Sequence, residues 1–264
     1  MTRPIKTTVG QLLFASRLNA LLMRGVAVIV TFHRIDDARD PFGLSVSRIM
    51  FERYCQFFSR YFRVVPLREL VDRLDRGEAL DHHLAITFDD GYADNYEQAA
   101  PILERLSLPA TFFVVSRWIE SNVVPWWDRK QSARHPWMTW DQVRDLARRG
   151  FDVGAHTRTH ADLGQIGGRV AHKEIAGGRA EVEQQLGRPV DLFAYPYGGR
   201  HHLSESNRTR VKEAGFRCCC SCYGGLTRDG ADPFRLDRVA ISPWYVSPQQ
   251  LGLELVRESR PLFA

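Results

Sequence analysis

Short apolar, β-branched runs alternate along the chain with longer stretches in which apolar residues return every three or four positions. The first pattern is that of buried strands and the second that of amphipathic helices. Strands are expected at residues 26–32, 63–65, 84–88, 110–115, 151–155, 192–195, 216–220 and 236–241. Helices are expected between them. In 47–62, Ile49, Phe51, Tyr54, Phe57, Phe58 and Tyr61 keep helical spacing behind Ser47, a suitable N-cap. Further helices are read at 66–76, 94–106, 139–149 behind Thr139, 171–186 closed by Gly187, 204–214 and 248–257. Residues 118–137 follow neither pattern and are rich in tryptophan. Strand-helix alternation of this kind predicts an α/β fold, with a parallel sheet closed or nearly closed into a barrel and helices outside it.

Composition narrows this only a little. The chain has 264 residues, 44% hydrophobic and 25% charged, with a net charge of +5. One domain over 26–264, preceded by a helical segment over 1–25, is the simplest organisation. Arginines are spread along the chain without a block, so no nucleic-acid partner is indicated. An anionic glycan, a lipid-linked substrate or a membrane surface suits the charge equally well. Residues 11–23 are amphipathic, with Arg17 and Asn19 inside them and no small-residue cleavage site after them, which argues against a secretory signal. No apolar run reaches the ~20 residues needed to span a bilayer. A helix within 9–25 is expected to pack on the domain, with peripheral contact at a membrane surface as the alternative. Five cysteines, four of them within 218–222, do not resemble a disulfide framework and suit a reducing compartment. A cytoplasmic protein, peripheral at most to the inner membrane face, is the expectation.

The chemistry gathers where strands end. The strand at 84–88 runs into Asp89-Asp90-Gly91, the one at 26–32 into His33, the one at 151–155 into His156, and the one at 192–195 into Pro196-Tyr197-Gly198. Asp-Asp-Gly alone is also a common turn. On a regular strand, however, neighbouring side chains point to opposite faces, so the two carboxylates are expected to do different work: one binding a cation, the other taking a proton. His156 and His160 are four apart; if Thr157 opens a helical turn, their rings share one face and can grip one metal ion. Two imidazoles and one carboxylate leave positions open for water, as a catalytic site requires.

The residues Thr87-Phe88-Asp89-Asp90-Gly91, His156-Thr157 with His160, and Tyr195-Pro196-Tyr197-Gly198, in that order, resemble the motifs of the polysaccharide deacetylases, the NodB-homology or carbohydrate esterase family 4 enzymes. The resemblance spans about residues 28 to 241. It implies a distorted (β/α) barrel of mostly parallel strands, a divalent metal, often zinc, and removal of acetyl groups from sugars. It also implies Asp89 as the catalytic base, Asp90, His156 and His160 as metal ligands, and the Tyr197 backbone N–H, next to Pro196, as an oxyanion donor. The chemistry is coherent: the metal supplies a Lewis acid, Asp89 takes a proton from water, and an acid must protonate the departing amine.

Three departures from the common pattern matter. The Leu-x-His that usually supplies the acid corresponds to Leu236-Asp237-Arg238-Val239, without a histidine; the usual arginine of the third motif is absent; and Arg217-Cys218-Cys219-Cys220-Ser221-Cys222 replaces an Asp-rich motif. Val30-Thr31-Phe32-His33 instead resembles the circularly permuted branch that includes poly-N-acetylglucosamine deacetylases, which makes His33 the expected acid and His201 or His202 the fallback. Trp126, Trp127 and Trp137 are candidates for a sugar platform, though aromatics equally fill cores. The cysteines are expected to be buried, inert thiols. The function expected is a metal-dependent deacetylase of N-acetylated sugars in a surface polysaccharide or its lipid-linked precursor. Hydrolysis of non-sugar amides on the same barrel, or an inactive glycan-binding module, are the competing readings.

Overall fold

The computed structural model describes residues 2–38, 40–129 and 134–260. Seven parallel strands close on themselves: β1 (Val26–Phe32), β2 (His83–Phe88), β3 (Thr111–Val114), β4 (Asp152–Ala155), β5 (Leu192–Ala194), β6 (Cys218–Gly224) and β7 (Leu236–Ala240). β1 pairs with β2 over Val28–Leu84 to Phe32–Phe88, the remaining strands follow in chain order, and β7 returns to β1 at Val30–Val239 and Thr31–Ala240. The ring is therefore the closed barrel that the alternation of periods predicts.

The strand pattern sorts side chains into two layers. Val28, Val30, Phe32, Ile86, Phe88, Phe112 and Val153 face outward into the helices. Ala27, Ile29, Ala85, Phe113, Leu192, Ala194, Cys218, Cys220 and Leu236 fill the interior together with Leu67, Leu70, Val71 and Leu74 of α4 (Leu67–Asp75). The ion pairs Arg68–Asp152 and Arg217 to Asp72 and Asp75 hold α4 beside the starts of β4 and β6. That end of the barrel is plugged, and the strand C-termini are left as the open end.

The remaining helices are α1 (Arg3–Ala15), α2 (Leu18–Leu22), α3 (Arg48–Tyr61), α5 (Ala100–Arg105), α6 (Trp140–Arg148), α7 (Gly168–Leu186), α8 (Glu205–Glu213) and α9 (Pro248–Ser259). Ser47 caps α3 by accepting from the Met50 N–H, and Thr139 with Gln142 forms a capping box on α6. Two helices depart from the sequence expectation. The stretch expected as one helix over 94–106 opens as a wide turn at Asn95–Ala99 before α5, because Pro101 has no N–H to offer the preceding turn. The N-terminal helix starts earlier than the amphipathic run, at Arg3, and breaks at Arg17, whose φ is 62°. Its Phe14 is buried among Phe57, Tyr61 and Phe62, so the segment packs on the same body as the barrel.

Candidate active site

The open end of the barrel holds a cavity of about 340 Å³ lined by His33, Asp89, Asp90, His156, His160, Tyr197, Trp126, Trp127, Phe42, Leu44, Cys222 and Tyr223. His33, Asp89 with Asp90, His156 and Tyr197 stand just beyond the ends of four strands, brought together by barrel closure.

Asp89 continues the inward series Ala85, Thr87 of β2, and its N–H donates to the Phe32 carbonyl, 2.9 Å. Its carboxylate is gripped by both terminal nitrogens of Arg238, at 2.9 and 2.7 Å. Arg238 is fully buried on the inner face of β7. It also donates to Thr31 Oγ1, Thr87 Oγ1 and the Ser221 carbonyl. Bidentate, charge-assisted bonds of this type are the strong ones. Burial pushes the Asp89 carboxyl up, but the guanidinium, His156 and His33 outweigh it and hold the group below the usual carboxylate value.

Asp90 does not follow strand alternation. Its φ is 75° and that of Gly91 is 90°, so the chain turns before a second face exists, and both carboxylates open on one cavity. A side chain at Gly91 would in addition meet the Ile119 side chain at 2.9 Å. Asp90 Oδ1 is buried without a hydrogen-bond partner, 3.5 Å from His156 Nε2 and 3.3 Å from His160 Nε2. The histidines do not sit on a helical turn. Thr157 and His160 both adopt left-handed φ, 64° and 58°, and this double reversal brings the rings to 5.1 Å. Glu174 of α7 holds the loop by accepting from the N–H groups of Arg158 and Thr159. Gly178 lets α7 approach it: a Cβ there would lie 2.8 Å from the Thr157 carbonyl carbon. His156 Nδ1 bonds the Ala194 carbonyl, 2.8 Å, which turns Nε2 toward Asp90. His160 stacks on Trp118 with centroids 4.9 Å apart. Burial opposes charge throughout, yet the two imidazoles hold Asp90 well below the usual carboxylate value. His156 is raised by Asp89 and Asp90, and His160 is lowered because burial wins.

These three residues fit a divalent ion on their chemistry: a buried unbonded carboxylate oxygen facing two oriented imidazole nitrogens is an N,N,O donor set. A second group, His33, Asp89 and Cys222, also brings its donor atoms within 4.8 Å of one another. Both oxygens of its carboxylate are already taken by Arg238, so that group is not a comparable ion cradle.

His33 lies in this cavity, between β1 and the short pair Arg34–Ile35 with Ser45–Val46, and its carbonyl accepts from Asn95 Nδ2, 2.8 Å. Tyr197 has φ 62°, and among the described residues no hydrogen bond occupies its N–H. Trp127 is a buried wall whose Nε1–H donates to Tyr92 Oη; Trp126 is exposed at the rim, edge-on to Phe42. Trp137 stacks on Tyr92 at 4.4 Å behind the wall and does not line the cavity. His202 accepts the Gly199 N–H and faces Asp162, and neither it nor His201 lines the cavity.

Sequence reasoning missed Arg238, although an arginine between Leu236 and Val239 in an apolar strand announces a buried charge in need of a partner. It also missed Arg34, which is fully buried and bonds Asp40 and Asp128 at 2.8 and 2.7 Å, fastening the loops around Trp127. Phe42 and Tyr223 at the rim carried no signal. All five cysteines are free and buried, but Cys222 lines the cavity, its thiol pushed up to about 12 by burial.

Comparison with known proteins finds a matching family model and solved structures of the same fold. The family model for polysaccharide deacetylase matches residues 76–219. Over 137 residues the chain is 28% identical to the poly-beta-1,6-N-acetyl-D-glucosamine N-deacetylase of Escherichia coli (strain K12), covering 49% of this chain and 20% of that protein. It is 25% identical over 158 residues to YxkH of Bacillus subtilis (strain 168), named as a polysaccharide deacetylase, covering 60% of this chain and 51% of the relative. The chain thus spans about half of one curated relative and a fifth of the other. Two solved structures share the fold: the Streptococcus pyogenes deacetylase PplD (TM-score 0.72, 22% identity, 86% of this chain and 96% of that one) and IcaB from Ammonifex degensii (TM-score 0.72, 23% identity, 88% and 97%).

Proposed function

The chain belongs to the polysaccharide deacetylase family, and from that premise we propose that it hydrolyses the acetamido group of N-acetylated sugars in a glycan or its lipid-linked precursor. One observation carries the reading: an unbonded Asp90 oxygen facing two imidazoles stands in one cavity with an Asp89 carboxylate locked by Arg238.

Asp90, His156 and His160 would hold a divalent cation, with zinc the ion best suited to the donor set. Once bound, the ion supplies a Lewis acid for the acetyl carbonyl and for water. The chain's own groups do the rest. Asp89, kept ionised by Arg238, accepts the proton of the attacking water. The Tyr197 N–H, flanked by Pro196, steadies the developing oxyanion. His33 delivers a proton to the amine as the C–N bond breaks, leaving acetate and a free amino sugar. Trp126 and Trp127 support the sugar ring.

Acetate release from N-acetylglucosamine oligomers by zinc-loaded protein tests the reading. Steady release that stops on chelation and returns with zinc is expected. A metal-loaded protein that binds the oligomers yet releases no acetate would leave only a glycan-binding module. We assign the chain to the cytoplasmic side, which five free thiols support; cell fractionation that finds it elsewhere would overturn the assignment.

A further inference from the structure

Residues 2–25 contain four cations, Arg3, Lys6, Arg17 and Arg24, and no acidic residue. One face of α1 is anchored: Phe14 is buried among aromatics, and Gly10 lies so close to α9 that a Cβ would meet the Gln249 carbonyl. The other face is unpartnered. Ile5, Val9 and Leu12, spaced by four and three, fall within a ~60° sector of the helix. With Leu18 and Leu21 of α2 they form a row of aliphatics each between 36% and 67% exposed. The half-exposed Trp244 lies beside α1, with Lys6 Nζ 5.4 Å from its ring.

The charges around this row are mainly cationic, Lys6 being paired with Glu254 of α9 at 2.6 Å. Arg3, Arg17, Arg24, Arg60 and Arg260 are exposed, and none forms an ion pair among the described residues. Arg17 lies over the Tyr61 ring, and Arg260 donates to the carbonyls of Leu21 and Leu22, so both are held beside the aliphatics. Exposed aliphatics rimmed by unpaired cations are what a helix lying in a lipid headgroup layer presents: its apolar side enters the acyl boundary while its cations meet anionic headgroups.

We propose that the wall formed by α1, α2 and the end of α9 docks on an anionic bilayer surface. The helix runs from the open end of the barrel, where Thr7 meets Ser247 and Lys6 meets Trp244, to the closed end, where α2 leads into β1. Docking along it lays the barrel axis along the membrane, so that the cavity opens sideways. Only that consequence, access to lipid-linked or nascent glycans, rests on the deacetylase reading; docking itself does not.

Cosedimentation of the full chain with vesicles of phosphatidylcholine and phosphatidylglycerol, against phosphatidylcholine alone, tests it without reference to catalysis. Binding to the anionic vesicles should be stronger by on the order of tenfold and should weaken as salt rises. Leu12→Glu with Leu21→Glu, and separately Arg17→Glu with Arg24→Glu, should each reduce binding by a similar factor, while acetate release from soluble oligomers stays at the wild-type rate. These side chains are exposed, so circular dichroism should report an unchanged fold. Equal binding to both vesicle types, variants that bind like wild type, or wild-type protein that stays in the supernatant would each overturn the proposal. A dimer in sedimentation equilibrium that the Leu12→Glu, Leu21→Glu variant abolishes would assign the face to a second copy instead.

Discussion

Asp89 and Asp90 are chain neighbours with the same side chain, both buried in one cavity, and they live in opposite electrostatic situations. Around Asp89 both oxygens are hydrogen-bonded, each to one Arg238 nitrogen with a lone pair to spare, and two threonine hydroxyls and a carbonyl take the rest of the guanidinium. Around Asp90 the arrangement is incomplete. One oxygen has no hydrogen bond, and the nearest polar groups are imidazoles at 3.3 and 3.5 Å, beyond good hydrogen-bond length. Buried polar groups in native proteins are ordinarily satisfied. The contrast teaches that the Asp89 side is complete as a protein structure, whereas the Asp90 side has the form of a socket.

Emptying the socket should have the largest effect. His156→Ala with His160→Ala should lose the bound metal and bring turnover to background, with the barrel still folded; full metal occupancy by elemental analysis would remove these ligands from the account. Next comes the acid. His33→Ala should keep its metal and lose on the order of 10²–10⁴ in rate on acetamides. It should lose far less on an activated acetyl ester, whose leaving group needs no proton. Equal losses on the two substrates would make His33 structural.

Arg238→Met attacks the complete side. It leaves a buried carboxylate without its partner, which should cost about 3–5 kcal/mol of stability by denaturant titration. The pH profile gives the sharper signature. Because Asp89 is held below the usual carboxylate value, its contribution to stability is present above that range and fades only as pH falls through the lowered native value. Without Arg238, burial pushes Asp89 upward, so the acid limb of the rate profile should move to higher pH. An unmoved limb would mean that Arg238 does not set the charge of Asp89. The smallest effect belongs to the rim: Trp126→Ala should raise KM for oligomers several-fold and leave kcat alone, as loss of one aromatic contact of about 0.5–1.5 kcal/mol implies. An unchanged KM would place the sugar elsewhere.

The sequence made the barrel readable because its strands and helices announce themselves by period, and because Asp89, Asp90, His156 and His160 stand in a compact, ordered motif. What it could not convey were contacts created by closure. Arg238 and Asp89 are 149 positions apart and meet only when β7 returns to β1 beside β2. Two local inferences failed for backbone reasons. Strand alternation was expected to part Asp89 from Asp90, and a helical turn to align His156 with His160, but left-handed residues at Asp90, Thr157 and His160 rule out both regular geometries. In each case the side chains do meet in one cavity, but by a backbone path that neither regular geometry describes.

The most direct test compares the two carboxylates in parallel. Asp89→Asn and Asp90→Asn should be purified, offered zinc, and assayed for metal content together with acetate release. The account predicts that Asp89→Asn retains about one ion per chain and turns over ~10²–10⁴ more slowly, while Asp90→Asn retains little metal and is inactive. Full metal in Asp90→Asn, or metal lost from Asp89→Asn while Asp90→Asn still turns over, would contradict it.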